Sequence, residues 1–497
     1  MAIEPRTPVM VGVGQITDHP DHDATYESRP HPLDLIIEAL ERAGADTGAD
    51  GALRSLDELV AIGSFTWHTT DPALLAVSAL GLSNVRTRLT PTGGNIPQKL
   101  VHESARRILA NEIDAIAVVG SEAMYASSLA RKQGLPLGWR KQDDSVAAPD
   151  LVEENRAPLT KDEYENGITL PVEAYPLFEN ARRARLGWTI DEQRQQLGRL
   201  WANFATVAAD NPYAWIRTAP SAKEIVTPSP NNRMVSFPYT KMLVANMPVD
   251  MGAAYIMMSF EKATSLGIAL DKMIFPTAGA DATDHWFISD RPQLDSSPAM
   301  TAIWSALQSF GVRTDDLSHI DFYSCFPTVV QTACNVAGID AFDPSRVPTV
   351  TGGLTFCGGP GNNYVTHSIA TMVSLLRQSQ STGLVSGLGW FSTKHAWGTY
   401  SATPPPSSFQ WKSVQENVDE QPVCPHQQEN GNVTVESYTV VHNRDDSPNR
   451  LVVVARHANG NRVWASSNDA PLMEQSETHE LIGRSGTVRD GSFFLSD

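Results

Sequence analysis

The chain predicts an α/β protein with a duplicated architecture and a separate small β-domain at its C-terminal end. Three observations carry this. Apolar strand-like runs alternate with helical patterns over residues 1–125; the alternation resumes near residue 250; and short alternating strands follow the linker Pro404-Pro405-Pro406. At about 100–200 residues per domain, 497 residues make two to four domains with ample core.

Val9-Met10-Val11-Gly12-Val13 is a buried strand by pattern, Leu33 to Ala43 repeats apolar residues at helical spacing, and Leu59-Val60-Ala61-Ile62 is strand-like again. Such alternation implies a mostly parallel sheet covered by helices on both faces. Gly12-Val13-Gly14 after a strand suggests a dinucleotide loop, but the third glycine of G-x-G-x-x-G would fall at Thr17, which argues against it. Thr92-Gly93-Gly94-Asn95 leads into a helix from Gln98 to Asn111. Val101, Ala105, Ile108 and Leu109 form its apolar face, and Pro97 fits the preceding turn, where a missing N–H costs little. The strand Ala115-Ile116-Ala117-Val118-Val119 follows.

Residues 130–240 change character, with many prolines, tryptophans and charges. Thr189-Ile190-Asp191-Glu192 is a capping box opening a helix through Leu197, Leu200, Trp201 and Phe204. An insertion of this length predicts either a lid or pocket wall or a purely structural subdomain. A second α/β half then begins with Ala253 to Ser259, Ile320 to Tyr323, and a helix from Thr328 to Val336. In the tail, Val433 to Val435, Tyr438 to Val441, Leu451 to Ala455 and Arg462 to Ala465 are strand-like, with Asn459-Gly460 as a type I′ hairpin signal, so a compact OB-like barrel is expected. The expected units are 1–125, 126–245, 246–403 and 410–497.

Charge narrows the function classes. Thirty-eight Lys and Arg against 56 Asp and Glu leave −18, which argues against nucleic acid or an anionic membrane as partner. Seven basic against 13 acidic residues from 411 to 497 make an oligonucleotide site on the tail equally unexpected. The tail would pack on the core or dock a protein partner. The four cysteines, Cys325, Cys334, Cys357 and Cys424, form no C-x-x-C pair, so neither a zinc site nor a disulfide framework is expected. The start Met1-Ala2-Ile3-Glu4-Pro5-Arg6 lacks a basic region before an apolar run, and no stretch of about 18 apolar residues exists to span a bilayer. A reduced, cytoplasmic protein without a metal is the expectation.

Several segments, in order, then resemble one superfamily. Val118-Val119-Gly120-Ser121-Glu122-Ala123-Met124 resembles the segment after the nucleophile helix of thiolases. Asn211-Pro212-Tyr213-Ala214, Phe237-Pro238-Tyr239-Thr240-Lys241 and Asp250-Met251-Gly252-Ala253-Ala254 are similar to the loop-domain exit and D-G-A-A-A strand of sterol-carrier-type thiolases. Asp321-Phe322-Tyr323-Ser324-Cys325-Phe326 is similar to their H-D-C-F segment, and Thr351 to Pro360 to their G-G-x-x-x-x-G-H-P loop. Together with G-G-N-x-P-Q, G-G-P-G-N-N and the β-rich tail, these identify the chain as similar to type 1 thiolase-like proteins, labelled acetyl-CoA acetyltransferase by similarity.

The resemblance implies a five-layered duplicated thiolase fold over residues 5–403, a loop domain, and a pocket for an acyl group carried on coenzyme A. It also implies a chemistry in which one cysteine takes the acyl group and a histidine and a second cysteine move protons. Carried over residue by residue, the acyl-accepting cysteine falls at Gly94 and the G-H-P histidine at Gly359. The stretch expected to hold the second cysteine, Ser386 to His395, contains no cysteine. The standard Cys/His/Cys set is therefore expected to be lost.

Cys325, Cys357 and His395 are the candidates for a rebuilt catalytic site, each weighed against an ordinary packing or hydrogen-bonding role. Gly93, Gly94, Asn95, Gly358, Gly359 and Asn362 are candidates for holding the ligand through main-chain groups and amides, weighed against tight turns without a ligand. Two functions follow: a binder that holds or passes coenzyme A thioesters in lipid metabolism with no tightly bound cofactor, or an acyltransferase or thioesterase of altered chemistry. A monomer is expected as readily as the dimer of ordinary thiolases, because the altered nucleophile loop lies beside their interface.

Overall fold

A computed structural model describes residues 3–20 and 25–496; Met1 and Ala2 of the N-terminal segment considered above lie outside the described residues. The first sheet contains β1 (Pro8–Thr17), β2 (Glu58–Ala61), β3 (Arg86–Leu89), β4 (Ala115–Ala123) and β5 (Asp250–Ser259), in the order β1-β5-β4-β2-β3. The second contains β6 (Phe275–Thr283), β7 (His319–Asp321), β8 (Thr382–Gly389) and β9 (Lys394–Ser401), in the order β6-β9-β8-β7. Read from β1 or from β6, the first three pairings run antiparallel, antiparallel, parallel in both sheets, so the duplication expected from the sequence is present. The sheets touch where Met10 and Ile274 exchange backbone hydrogen bonds of 2.7 and 3.0 Å.

Helices α2 (Ile96–Leu109) and α5 (Tyr364–Ser379) lie between the two sheets and contact strands of both. Helix α1 (Pro32–Asp46) covers the outer face of the first sheet, and Pro298–Ser309 that of the second, which completes five layers. Leu100, Val101, Ala105 and Ile108 of α2 are buried, as its periodicity predicts. The glycines at 12 and 14 have a packing reason. A β-carbon at Gly14 would lie 2.1 Å from the Ala39 carbonyl oxygen of α1, so bare backbone is what lets helix and strand approach.

One expected boundary moves. The strand beginning at Asp250 is expected in the second half from its position after the insertion, but β5 pairs with β1 and β4 along its length and belongs to the first sheet. Its ten buried residues mark an interior strand and carry no signal of which sheet receives it. The second half therefore starts at β6.

The insertion contributes α3 (Pro171–Leu186) and α4 (Ile190–Asp210). The capping box at Thr189 forms, with Glu192 N–H donating to Thr189 Oγ1 (3.2 Å) and Thr189 N–H to Glu192 Oε2 (2.8 Å). The tail forms β10 (Gly431–His442), β11 (Pro448–His457), β12 (Arg462–Ser467), β13 (Ser485–Arg489) and β14 (Ser492–Leu495). Their order β10-β11-β12-β14-β13, closed by β13 on β10 and with the helix Ala470–Ser476 between β12 and β13, is the OB barrel topology. The β11–β12 hairpin is present, but its turn is not type I′. Of Asn459 and Gly460 only the glycine has a positive φ (91°), which is a type I turn closed by a left-handed glycine. Residues 410–413 also leave the expected tail unit, pairing with β6 in the second sheet instead.

Candidate functional site

A cavity of about 470 Å³ opens where the two halves and the insertion meet, in the size range of small-molecule sites. Its floor is built by Thr92, Gly93 and Gly94 at the N-terminal end of α2, by Tyr323, Cys325 and Phe326 after β7, and by Leu388, Trp390 and Phe391 after β8. Val172 and Tyr175 of α3 close one side, and Gly361 and Asn362 another. Phe65 and Leu170 line it while being 42% and 57% exposed, so the mouth is apolar as well. Among the described residues no Asp, Glu, Lys, Arg or His lines it.

The loop Thr92-Gly93-Gly94-Asn95 is held by the glycine-rich loop of the other half. Gly93 N–H donates to Asn362 Oδ1 (2.9 Å), and Asn362 Nδ2 donates to the Gly63 carbonyl (2.7 Å). The place a side chain would occupy at Gly94 is already filled: a β-carbon there would lie 2.6 Å from the Leu388 carbonyl oxygen and 2.6 Å from the Tyr323 hydroxyl. Beside the loop, Lys394 is buried and paired with Glu153, which also holds Lys99 at 2.6 Å. Burial pushes the Lys394 ammonium below its ordinary value in spite of that carboxylate.

The structure separates the candidate residues. Gly93, Gly94, Asn362 and Cys325 line the cavity; Asn95, Gly358, Gly359, Cys357 and His395 do not. Cys357 is wholly buried, its sulfur 3.7 Å from Asn211 Nδ2. His395 is 1% exposed, with Nε2 3.1 Å from the Ser392 carbonyl and 3.3 Å from Asp284 Oδ2. Burial alone would raise the Asp284 carboxyl, but His395 and then Arg291 hold it below the usual carboxylate value. The three candidates for a rebuilt site are therefore not gathered around one cavity, because spacing along the chain does not say on which side of its strand or loop each side chain emerges.

Cys325 is 8% exposed, and burial pushes its thiol up to about 12; Cys357 is pushed up to about 12 for the same first reason. Native protein near neutral pH is expected to react slowly with a thiol reagent and to show all four thiols only after denaturation. One fast native thiol that is lost in Cys325→Ala would instead make Cys325 an accessible thiolate. Because the unfolded thiols lose their protons first, stability is also expected to fall as pH rises from 9.0 towards about 12.

Sequence reasoning missed Tyr323 and Tyr175 as site residues. Tyr175 stacks on Phe326 with ring centroids 4.3 Å apart, donates to the Trp390 carbonyl (2.9 Å) and accepts from Ser392 N–H (2.8 Å). Tyr323 stands inside the segment that carries the resemblance, two residues before Cys325, and alternation along an extended chain was the available signal that both face one side.

Sheet order, the central helix pair and the cavity at their ends define a thiolase fold. It is similar to the acetyl-CoA acetyltransferase from Syntrophomonas wolfei (16% identity, 80% of this chain and 100% of that one, TM-score 0.56) and to the dimeric peroxisomal thiolase of Saccharomyces cerevisiae (13%, 80% and 98%, 0.55). A monomeric SCP2-thiolase-like protein type 1 from Mycobacterium smegmatis is 30% identical over 100% of both chains, with TM-score 0.83. Residues 413–492 match the additional C-terminal domain of thiolase-like proteins type 1. The chain belongs to the SCP2-thiolase-like proteins of type 1. No functionally curated protein matches it in sequence.

Proposed function

We propose that this chain binds a coenzyme A thioester without reacting with it, the acyl portion lying in the apolar cavity, and that it holds or passes such thioesters in lipid metabolism. One observation carries the reading: where the resemblance puts the acyl-accepting cysteine, the chain has Gly94, and the Tyr323 hydroxyl and the Leu388 carbonyl fill the place of its side chain. Gly359, where the resemblance puts a histidine, does not line the cavity, and no Asp, Glu, His or Lys among the described residues lines it. Attack by a thiol needs a thiolate, and carbon–carbon bond formation needs a base to remove a proton next to the carbonyl. The one thiol on the wall, Cys325, has its thiol pushed up to about 12 by burial, which favours its protonated form near neutral pH.

The second reading, an acyltransferase or thioesterase, rests on Cys325, the one thiol that lines the cavity. Intact-protein mass spectrometry after incubation with acetyl-CoA and longer acyl-CoAs, on wild type and Cys325→Ala, separates the two. Calorimetric binding with no adduct and no turnover is expected; an acyl adduct lost in Cys325→Ala would replace the binder by the enzyme. No detectable coenzyme A thioester binding would overturn both.

A monomer is part of the proposal. At the outer edge of β3, Arg88 and Leu89 already pair with the chain's own Asp150–Leu151, which withholds that part of the ladder from a second copy. A cytoplasmic location is likewise part of the proposal; among the described residues no helix is long and apolar enough to cross a membrane. A protein partner on the barrel would have to use faces other than β11–β12, which pack against the second half.

A further inference from the structure

The cavity is apolar on nearly every side, so each polar group on its wall that the protein leaves unmatched says something about the ligand. Most are matched. Asn362 binds Gly93 and Gly63, Thr169 donates to Glu173 Oε2 (2.8 Å), and Tyr175 binds Trp390 and Ser392. Tyr323 is different. Its residue is 7% exposed, its backbone N–H donates to Ser386 Oγ (2.8 Å), and its phenolic hydroxyl has no hydrogen-bond partner among the described residues. That hydroxyl lies 2.6 Å from where a β-carbon on residue 94 would stand, on the cavity floor. Thr92 carries the other uncommitted hydroxyl, on a less buried side chain.

We infer that Tyr323 is the specificity residue of the cavity, its O–H donating to the carbonyl oxygen of a neutral, otherwise apolar ligand group, so that the site recognises ketones and thioesters by one hydrogen bond. Burial keeps the phenol protonated, well above its ordinary value, and a phenol donates more strongly than it accepts because its lone pair is delocalised into the ring. With no cation on the wall, a carboxylate or phosphate would be buried there unpaired, so only the neutral end of a ligand enters. This inference rests on the proposed function only for the cavity being the ligand site; it does not require coenzyme A.

The test uses acetylnaphthalene and isopropenylnaphthalene, which differ by C=O against C=CH₂, with the full chain and Tyr323→Phe, each variant checked for wild-type melting. The ratio of ketone to alkene affinity is expected to be about 3- to 10-fold higher in wild type than in Tyr323→Phe, the usual worth of one hydrogen bond. Independently of the variant, the infrared carbonyl band of ketone bound to wild type is expected below its frequency in an alkane solvent. An unchanged ratio, or a band at the alkane frequency, overturns the inference. Thioester binding that ignores Tyr323→Phe would leave the binder standing and remove this role; ketone binding that depends on Tyr323 without any coenzyme A thioester binding would do the reverse. Binding of neither ligand class would overturn both.

Discussion

Arg462→Met is expected to destabilise the protein by about 3–5 kcal/mol, the usual cost of removing one partner from a buried ion pair. Arg462 is fully buried on β12, and its Nη1 donates to the carbonyls of Ile288 (3.1 Å), Ser289 (3.0 Å) and Arg291 (2.6 Å) in the second half. Its Nε and Nη2 donate to Glu436 at 2.8 and 2.7 Å. Methionine fills part of the volume but takes away the donor of the Ser289 and Arg291 carbonyls, leaves the Ile288 carbonyl with the Arg291 N–H alone (3.2 Å), and leaves Glu436 with Arg456 as its remaining cation at 2.9 Å. Urea unfolding measures the loss, and limited proteolysis is expected to release the barrel first. A change below about 1 kcal/mol, the range of a surface pair, would mean that this contact does not anchor the barrel.

Gly94→Cys is expected to fail as a restoration of the thiolase nucleophile. The new β-carbon meets the Leu388 carbonyl oxygen and the Tyr323 hydroxyl at 2.6 Å each, and the first is main chain that cannot turn aside. Overpacking of this kind costs about 1–3 kcal/mol. The folded variant should form no thioester with acetyl-CoA. Gly359→Ala is the comparison, because a β-carbon there meets its nearest neighbours, the Asn246 carbonyl oxygen and Ala245 Cβ, at 3.4 and 3.5 Å, close to ordinary contact. Its melting temperature should stay close to wild type. A Gly94→Cys protein of wild-type stability that is acylated would show that Tyr323 does not keep the acceptor's place.

Both effects depend on contacts between distant segments, and that is where sequence reading stopped. The helix face of Val101, Ala105 and Ile108, the capping box at Thr189 and the barrel strands β10, β11 and β12 were legible because each is written in neighbouring residues, whose spacing matches one period; Val433 to Val435 and Tyr438 to Val441 join in the one strand β10, and the short β13 and β14 carried no such run. The motif segments around Gly94, Cys325 and Asn362 were legible as parts of one pocket through resemblance. Which side chains turn into it was not. Cys325 does, while Cys357 and His395 lie in the packed interior, and the sequence marks all three only as residues in loops or strands of the same half.

By itself the sequence determined the element types, the repeated α/β halves, the tail barrel, the acidic surface and the glycine at position 94, all properties of local pattern and composition. Only the tertiary structure decided that β5 joins the first sheet, that the β11–β12 face of the barrel is closed against the second half, and that Tyr323 occupies the space above Gly94. Strand pairing, burial and the lining of a cavity are set by chain segments brought together across more than a hundred residues, as with Gly94 and Leu388, and no local period records them.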